Sequence, residues 1–446
     1  MREASALVVA AWEAAGNLER RDDDTVPSPG QPSLSFAGEQ ESGAIVFGAT
    51  ARTCVLKNLS RRFYSFMNPT WLCCQLRARE HYAVPRALQL SGLLGEFITD
   101  LWSSTFRRFH PELANARITA PNIAALTFEL KASLTRENGW KLITRRNEWF
   151  QRQAVAQLAQ SKTANGNHTV FAYSYAAEQI FRFAKKRGWR TVLGQIDPGP
   201  AEERIVARLH EEFSTMWEAA PKEYWDRWRT ECELADRIVV NSSWSRDALL
   251  GEGVPAQKIR VAPVAYETVE RSFERPYPQR FSSERPLRVL FLGQINLRKG
   301  VGQLLEAVKL LAGENVEFWF IGPAQIEIPQ HPRIKRFGVV PRVKVDKYYR
   351  DADVFILPTL SDGFGLTQLE AQSWKLPVVA SRRCGEVVRD GFNGAVLEEV
   401  SAEAITDVLL RFLRSPEILS AMSERSGVSD RFSLKNLASS LQDFDE

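Results

Sequence analysis

The chain has 446 residues, too many for one ordinary core, so two or three domains are expected. Lysine and arginine total 58 against 54 acids, and a surplus of +4 speaks against a dedicated nucleic-acid binder. A hydrophobic share of 44% with 25% charged residues excludes global disorder, and no apolar run reaches the roughly 18 residues of a membrane-spanning helix.

From the start of the chain, residues 6–12 are apolar, but Glu3 and Glu13 flank them, which speaks against a secretory signal. Residues 17–43 are rich in Ser, Pro, Gly, Asp and Glu and have too little apolar surface to offset their ordering entropy. Residues 1–69 therefore read as a partly disordered extension, with an ambiguous strand at 45–47. Five scattered cysteines (Cys54, Cys73, Cys74, Cys232, Cys384) form no C-x-x-C pair. They signal neither a disulfide framework nor a zinc site, and a reduced cytoplasmic compartment is the simplest expectation.

A regular alternation starts at Trp71. Strand-length apolar runs are expected over 71–76, 97–102, 169–174, 191–196 and 237–241, with helices notably over 84–94, 147–160, 176–187 and 224–235. Strands alternating with helices imply a parallel sheet with crossover connections. Residues 266–287 break the rhythm with Pro276, Pro278 and Pro286 amid charges, and read as a hinge between domains. The alternation then resumes. Short apolar runs predict strands over 288–292, 316–321, 334–337, 354–357, 378–380 and 395–397, each covered on both faces. Helices are expected over 300–311, 343–349, 366–374, 402–413 and 435–443. Two doubly wound α/β domains follow, 70–265 and 288–425, with 426–446 as a C-terminal helix that can pack back on the first. Ligands of such sheets lie beyond the carboxyl ends of the strands at the switch point, so the site belongs in the cleft between domains.

Two loops of the second domain carry chemistry. After the strand ending at Leu292 come Gly293, Gln294, Arg298, Lys299 and Gly300. Cations are disfavoured at the positive end of a helix, so two of them there point to an anion. A solvated basic turn accounts for the same residues. After Leu357 come Asp362, Gly363, Phe364, Gly365, Leu366 and Thr367, with Glu370 one turn into a helix. Backbone amides at that start suit a phosphate, and a carboxylate suits the paired hydroxyls of a ribose. An N-terminal cap and a surface acid account for Asp362 and Glu370 equally well.

In order and spacing, residues 293–300, Asp362 to Leu366 with Glu370 and Ala371, residues 376–380 and residues 386–394 resemble the donor domain of retaining glycosyltransferases of family 4. The resemblance implies the GT-B fold, a nucleotide diphosphate sugar as donor (UDP- or GDP-linked) with no further cofactor, and retention of anomeric configuration. It assigns Lys299 to phosphate binding, Asp362 and Glu370 to the two acids of the E-x7-E pair, Gly363, Phe364, Gly365, Leu366 and Thr367 to diphosphate amides, and Gly338, Val339 and Val340 to the base. Two departures stand out. The family's arginine after the strand is Gln294 here, and its first acid is Asp. Losing a charged hydrogen bond costs about 1.5–3 kcal/mol, or roughly tenfold to a hundredfold in rate. Weakened or rearranged phosphate contacts are therefore expected, with Arg298 on the same loop as an offset. No D-x-D metal site is assigned.

The first domain resembles the family more weakly, mainly at residues 235–242. Many GT-B enzymes carry a Gly-rich loop after the first strand. Here that loop offers Arg79, His81 and Arg86, which suit a donor phosphate, a polar acceptor or plain solvation. Asp197 precedes Pro198 at a strand's carboxyl end. It is a candidate for sugar or acceptor hydroxyls, with Tyr173, Ser174 and Tyr175 on the same wall; a turn-forming Asp accounts for it too. Lys299, Asp362, Asp197 and His81 are the expected catalytic set. Glu202 and Glu203 read as an acidic helix start. Residues 101–162 are basic and interleave Trp140, Trp149 and Phe150, which suits an anionic membrane surface, as it also suits a solvated helical face. The reading is a cytoplasmic glycosyltransferase, peripheral to the inner face of the cell membrane, with a glycan, lipid-linked or small-molecule acceptor and no nucleic-acid partner. A weak nucleotide-sugar-binding module and a nucleotide-sugar epimerase are the alternatives.

Overall fold

The computed structural model describes residues 70–103, 109–161, 167–267 and 273–443. The N-terminal extension, the strand expected at 45–47, Cys54, Arg107, Arg108 and Lys162 lie outside them.

The first half runs β1 (Thr70–Gln75), α1 (Ala83–Leu90), β2 (Leu94–Thr99), β3 (Ile118–Thr119), α2 (Asn122–Leu134), α3 (Gly139–Gln160), β4 (His168–Tyr173), α4 (Glu178–Lys186), β5 (Arg190–Gln195), α5 (Pro200–Glu212), α6 (Lys222–Leu234), β6 (Arg237–Val240), α7 (Ser243–Gly251) and β7 (Ile259–Val261). Its parallel sheet has the order β3-β2-β1-β4-β5-β6-β7. The second half runs β8 (Leu287–Leu292), α8 (Val301–Leu310), β9 (Val316–Ile321), β10 (Ile334–Gly338), α9 (Arg342–Asp351), β11 (Val354–Leu357), α10 (Thr367–Ser373), β12 (Val378–Ser381), β13 (Gly394–Leu397), α11 (Ala402–Arg414), α12 (Pro416–Arg425) and α13 (Leu434–Gln442). Its sheet is also parallel, in the order β10-β9-β8-β11-β12-β13.

Local chemistry explains most of these elements. Strands such as β1 and β11 are buried on both faces, which is why they read as unbroken apolar runs. Helix α11 opens with Ser401 accepting from the Ala404 amide and buries Ile405, Leu409 and Phe412 along one stripe. Strand β2 begins at Leu94, earlier than expected, because the polar Glu96 is buried inside it. That carboxylate accepts from Thr119 Oγ1 at 2.7 Å and Ser161 Oγ at 2.6 Å, partners far away in sequence. Strands β3 and β7 have two and three residues, too short for a pattern to show. Helices α2, α5, α7 and α12 add to those expected.

The 273–286 connection is not a loose hinge on its second side. Arg275 donates to the carbonyls of Tyr349, Arg350, Ala352, Trp374 and Lys375. Arg285 pairs with Asp353 through both guanidinium nitrogens, at 2.6 and 2.7 Å. The C-terminal helix α13 crosses back to the first half and packs Leu434, Leu437, Ala438 and Leu441 into a core with Trp71, Tyr82 and Leu88.

Both sheets reverse their order at one strand. In the first, β1 lies between β2 and β4; in the second, β8 lies between β9 and β11. Besides α13, contacts between the halves include loops at strand carboxyl ends, so the two switch points face each other across the cleft.

Candidate functional site

On the second half, Asn296 caps a 3-10 turn, Leu297–Lys299, by accepting from the Lys299 amide at 3.0 Å. Its amide nitrogen donates to Gln325 at 2.9 Å, and Gln294 stays exposed beside it. Gly300 has φ 72°, and a Cβ there would lie 1.8 Å from the Pro358 carbonyl oxygen. Only glycine allows the loops after β8 and β11 to touch. That contact brings Lys299 Nζ onto Asp362 Oδ2 as an ion pair. Burial opposes charge on Asp362, but Lys299 and Arg298 outweigh it and hold the carboxyl below its ordinary range.

Arg298 turns toward the first half. It donates to the Ser361 carbonyl at 2.7 Å and lies 3.4 Å from Glu202 on α5. The Ser361 hydroxyl donates to the same carboxylate at 2.8 Å. Burial pushes Glu202 up to about 7; Arg298 pulls it down and Asp197 pushes it further up. The expected acidic helix start is thus part of the interface between halves. Beside it, a Cβ on Gly363 would lie 1.9 Å from the Ile196 carbonyl oxygen, so the halves meet backbone to backbone. Asp197 Oδ1 accepts from the Gly199 amide at 2.9 Å, Gln195 Nε2 at 3.0 Å and the Tyr175 hydroxyl. Three donors on one oxygen make it the anchor of the turn into α5.

The loop after β1 holds three successive residues in the left-handed region: Glu80 (φ 50°), His81 (φ 53°) and Tyr82 (φ 58°). Each costs about 1–2 kcal/mol without glycine. Buried contacts hold the turn. Glu80 accepts from the Tyr173 hydroxyl at 2.9 Å and from Asn241 at 2.6 Å, and burial raises its pKa. Arg86 is buried, pairs with Glu112 and Glu267, and donates to the His81 carbonyl at 3.3 Å. Arg86 is therefore a structural anchor rather than a ligand-facing cation. Tyr173 and Ser174 are buried as well, so they stand behind the cleft wall, while Arg79 lies over the Tyr173 ring at 5.8 Å.

His81 does face the other half. Its Nε2 is 3.1 Å from Arg342 Nη1. Burial first, then Arg342 and Arg86, push its pKa down to about 4, so the ring is neutral at pH 7 and can accept from the guanidinium. Arg342 also lies 3.6 Å from Glu370, which accepts from the Tyr349 hydroxyl at 2.7 Å. Gly338, Val339 and Val340, expected beside the base, lead through Pro341 into this arginine, with Val339 exposed. The structure thus gathers Lys299, Asp362, Arg298 and the Gly363 loop at one place, and His81 and Glu370 at another, bridged by Arg342. Sequence reasoning missed Arg342, Glu202 and Tyr349. A cation directly after Pro341 at a helix start was the one visible signal. Among the described residues, no group of three His, Cys, Asp or Glu is close enough to hold a metal.

Residues 286–415 match the family model described as glycosyl transferases group 1. The chain is 28% identical over 193 residues to the amylovoran biosynthesis glycosyltransferase AmsK of Erwinia amylovora, covering 39% of this chain and 46% of that one. It is 24% identical over 309 residues to a D-inositol 3-phosphate glycosyltransferase of Xylanimonas cellulosilytica, covering 63% and 65%. The chain spans about half the length of the first curated relatives it matches. Among solved structures it is similar to Anabaena HepE in complex with UDP, with a TM-score of 0.56 and 14% identity over 84% of this chain and 98% of that one. A sucrose-phosphate synthase from Thermosynechococcus elongatus gives 0.57 and 14% over the same shares. The fold is that of the GT-B glycosyltransferases: two Rossmann-like domains with parallel sheets facing a cleft.

Proposed function

We propose that the protein is a retaining glycosyltransferase that moves a sugar from a nucleotide diphosphate sugar to a glycan, lipid-linked or small-molecule acceptor. The observation that carries this reading is the Lys299–Asp362 pair, held where two loops touch at the second sheet's switch point. It lies inside the segment that the glycosyltransferase model matches.

Lys299 would leave Asp362 to neutralise the departing diphosphate, with amides of Gly363 to Thr367 beside it. Glu370 would take the ribose hydroxyls, and residues 338–340 the base. The first half, with His81 and the Asp197 turn, would take the acceptor. A half-buried site between touching halves limits the access of water, which transfer rather than hydrolysis requires. UDP-sugars are the first donors to try, given the likeness to HepE, which was solved with UDP. The basic part of the acceptor half adds a membrane-facing surface.

The test is titration with UDP- and GDP-sugars, followed by product assay and the anomeric coupling constant of the product. Transfer with the donor's configuration kept is expected, and transfer with inversion overturns the retaining assignment. Arg298 is already engaged by Glu202 and Ser361, which favours a second reading: a module that binds donor without turnover. Tight binding with neither transfer nor donor hydrolysis across acceptors would establish that reading instead.

A further inference from the structure

Helix α2 carries an aliphatic stripe on its solvent side. Ile123 is 83% exposed, Leu126 48%, Leu130 46% and Leu134 74%. At 100° per residue these four fall within about 80° of one another, while Ala125 and Ala132 on the opposite side are buried. An aliphatic face turned to solvent over the full length of a helix is the reverse of ordinary burial.

The charges around it are also arranged. Helices α2 and α3 form an antiparallel hairpin whose acids are all paired, two within the hairpin and Glu148 with α6. Glu129 pairs with Arg146 at 2.8 Å, Glu137 with Arg145 at 2.6 Å, and Glu148 with Arg227 at 2.5 Å. Lys131, Arg136 and Lys141 are exposed and have no ion pair among the described residues. They cluster where the stripe ends, at the turn between the helices. The aromatic residues in this stretch face inward: Phe150 is buried, Trp149 packs on Phe128 and Trp140 on Tyr224. The outward apolar surface of this hairpin is therefore mainly the α2 stripe, with Ile143 of α3 38% exposed.

We propose that this face of α2 lies on an anionic lipid surface, with the four aliphatic side chains in the headgroup–acyl boundary and the three cations on the headgroups. An aliphatic face beside unpaired cations is what such a surface recognises. Four side chains on one helix offer much less than the roughly 800 Å² per partner of a stable protein interface, which disfavours a second copy. The inference deepens, and rests on, the proposed function where that names a lipid-linked acceptor.

Flotation of the full chain with phosphatidylcholine vesicles, with and without phosphatidylglycerol, tests it. Binding to the anionic vesicles alone is expected, weakening as salt rises. Replacing Ile123, Leu126, Leu130 and Leu134 by Ser should reduce binding at least about tenfold. Replacing Lys131, Arg136 and Lys141 by Gln should do the same, because each cation contributes separately. Both variants should keep the parent's melting temperature and UDP titration, since every changed side chain is exposed. The proposal is overturned if the parent stays in solution with anionic vesicles, or if either variant floats as the parent does. It is also overturned if the parent is a dimer that the Ser variant converts to monomer. Vesicle binding without any UDP- or GDP-sugar binding would instead sink the glycosyltransferase reading and leave the lipid contact standing.

Discussion

The two halves reach the same cleft geometry by opposite means. In the second half, the loops after β8 and β11 touch because Gly300 has no side chain. In the first half, the loop after β1 adopts three successive left-handed residues without glycine, held by Glu80 through Tyr173 and Asn241. One loop depends on the absence of an atom; the other depends on a buried carboxylate. Adding a methyl should break the first, and removing a carboxylate should break the second.

The largest expected effect is on chemistry. Lys299→Ala, combined with Asp362→Asn so that no buried carboxylate is left uncompensated, should lower kcat about 10²–10³-fold, the usual size for one lost transition-state partner. Circular dichroism should be unchanged. Full turnover would remove the Lys299–Asp362 pair from the proposed catalytic centre.

Gly300→Ala comes next. The left-handed backbone costs about 1–2 kcal/mol for any other residue, and the methyl also meets the Pro358 carbonyl. A loss of about 2–4 kcal/mol in chemical denaturation is expected, along with weakened UDP binding. Glu80→Ala, in the other half, should cost about 2–3 kcal/mol by leaving a buried tyrosine hydroxyl and amide unpaired, yet leave UDP binding intact. If Glu80→Ala weakened UDP binding as much as Gly300→Ala does, the contrast between the halves would fail.

The smallest effect is a pH dependence at the contact between them. Burial holds the folded-state pKa of Glu202 near 7, above the 4.5 of a free glutamate. Between those values the folded chain keeps a proton that the unfolded chain has released. This contribution is complete below about pH 4.5 and is lost as pH rises to about 7. Relative to Glu202→Gln, the parent should therefore lose stability across that window in urea melts. Glu231, also raised to about 7 by burial, acts in both chains and cancels in the difference. Equal slopes would remove Glu202 from the interface account.

How much was legible follows from the same contrast. The runs at 288–292 and 354–357 announced themselves because a strand covered on both faces is apolar except at its edge, where Arg288 stands in the first. The loops of the second half were legible because their glycines and their Lys and Asp lie in short, ordered stretches. The first half's side of the cleft was not. Glu80 lies 93 residues from Tyr173 and 161 from Asn241, and nothing local marks it as buried. Glu202 looked like a helix-start acid until Arg298, 96 residues away, came beside it. The basic stretch at 101–162 was visible as composition, but its charges turned out to be largely paired and its aromatics inward.

By itself the sequence determined the alternation of strand and helix, the parallel sheets and the glycine-bearing loops of the second half, because periodicity and backbone freedom are local properties. Only the tertiary structure decided which carboxylates are buried, which cations remain unpaired and which helix face meets solvent. Those depend on desolvation and on partners that in the key cases lie more than 90 residues away, and no local window along the chain contains both members of such a pair.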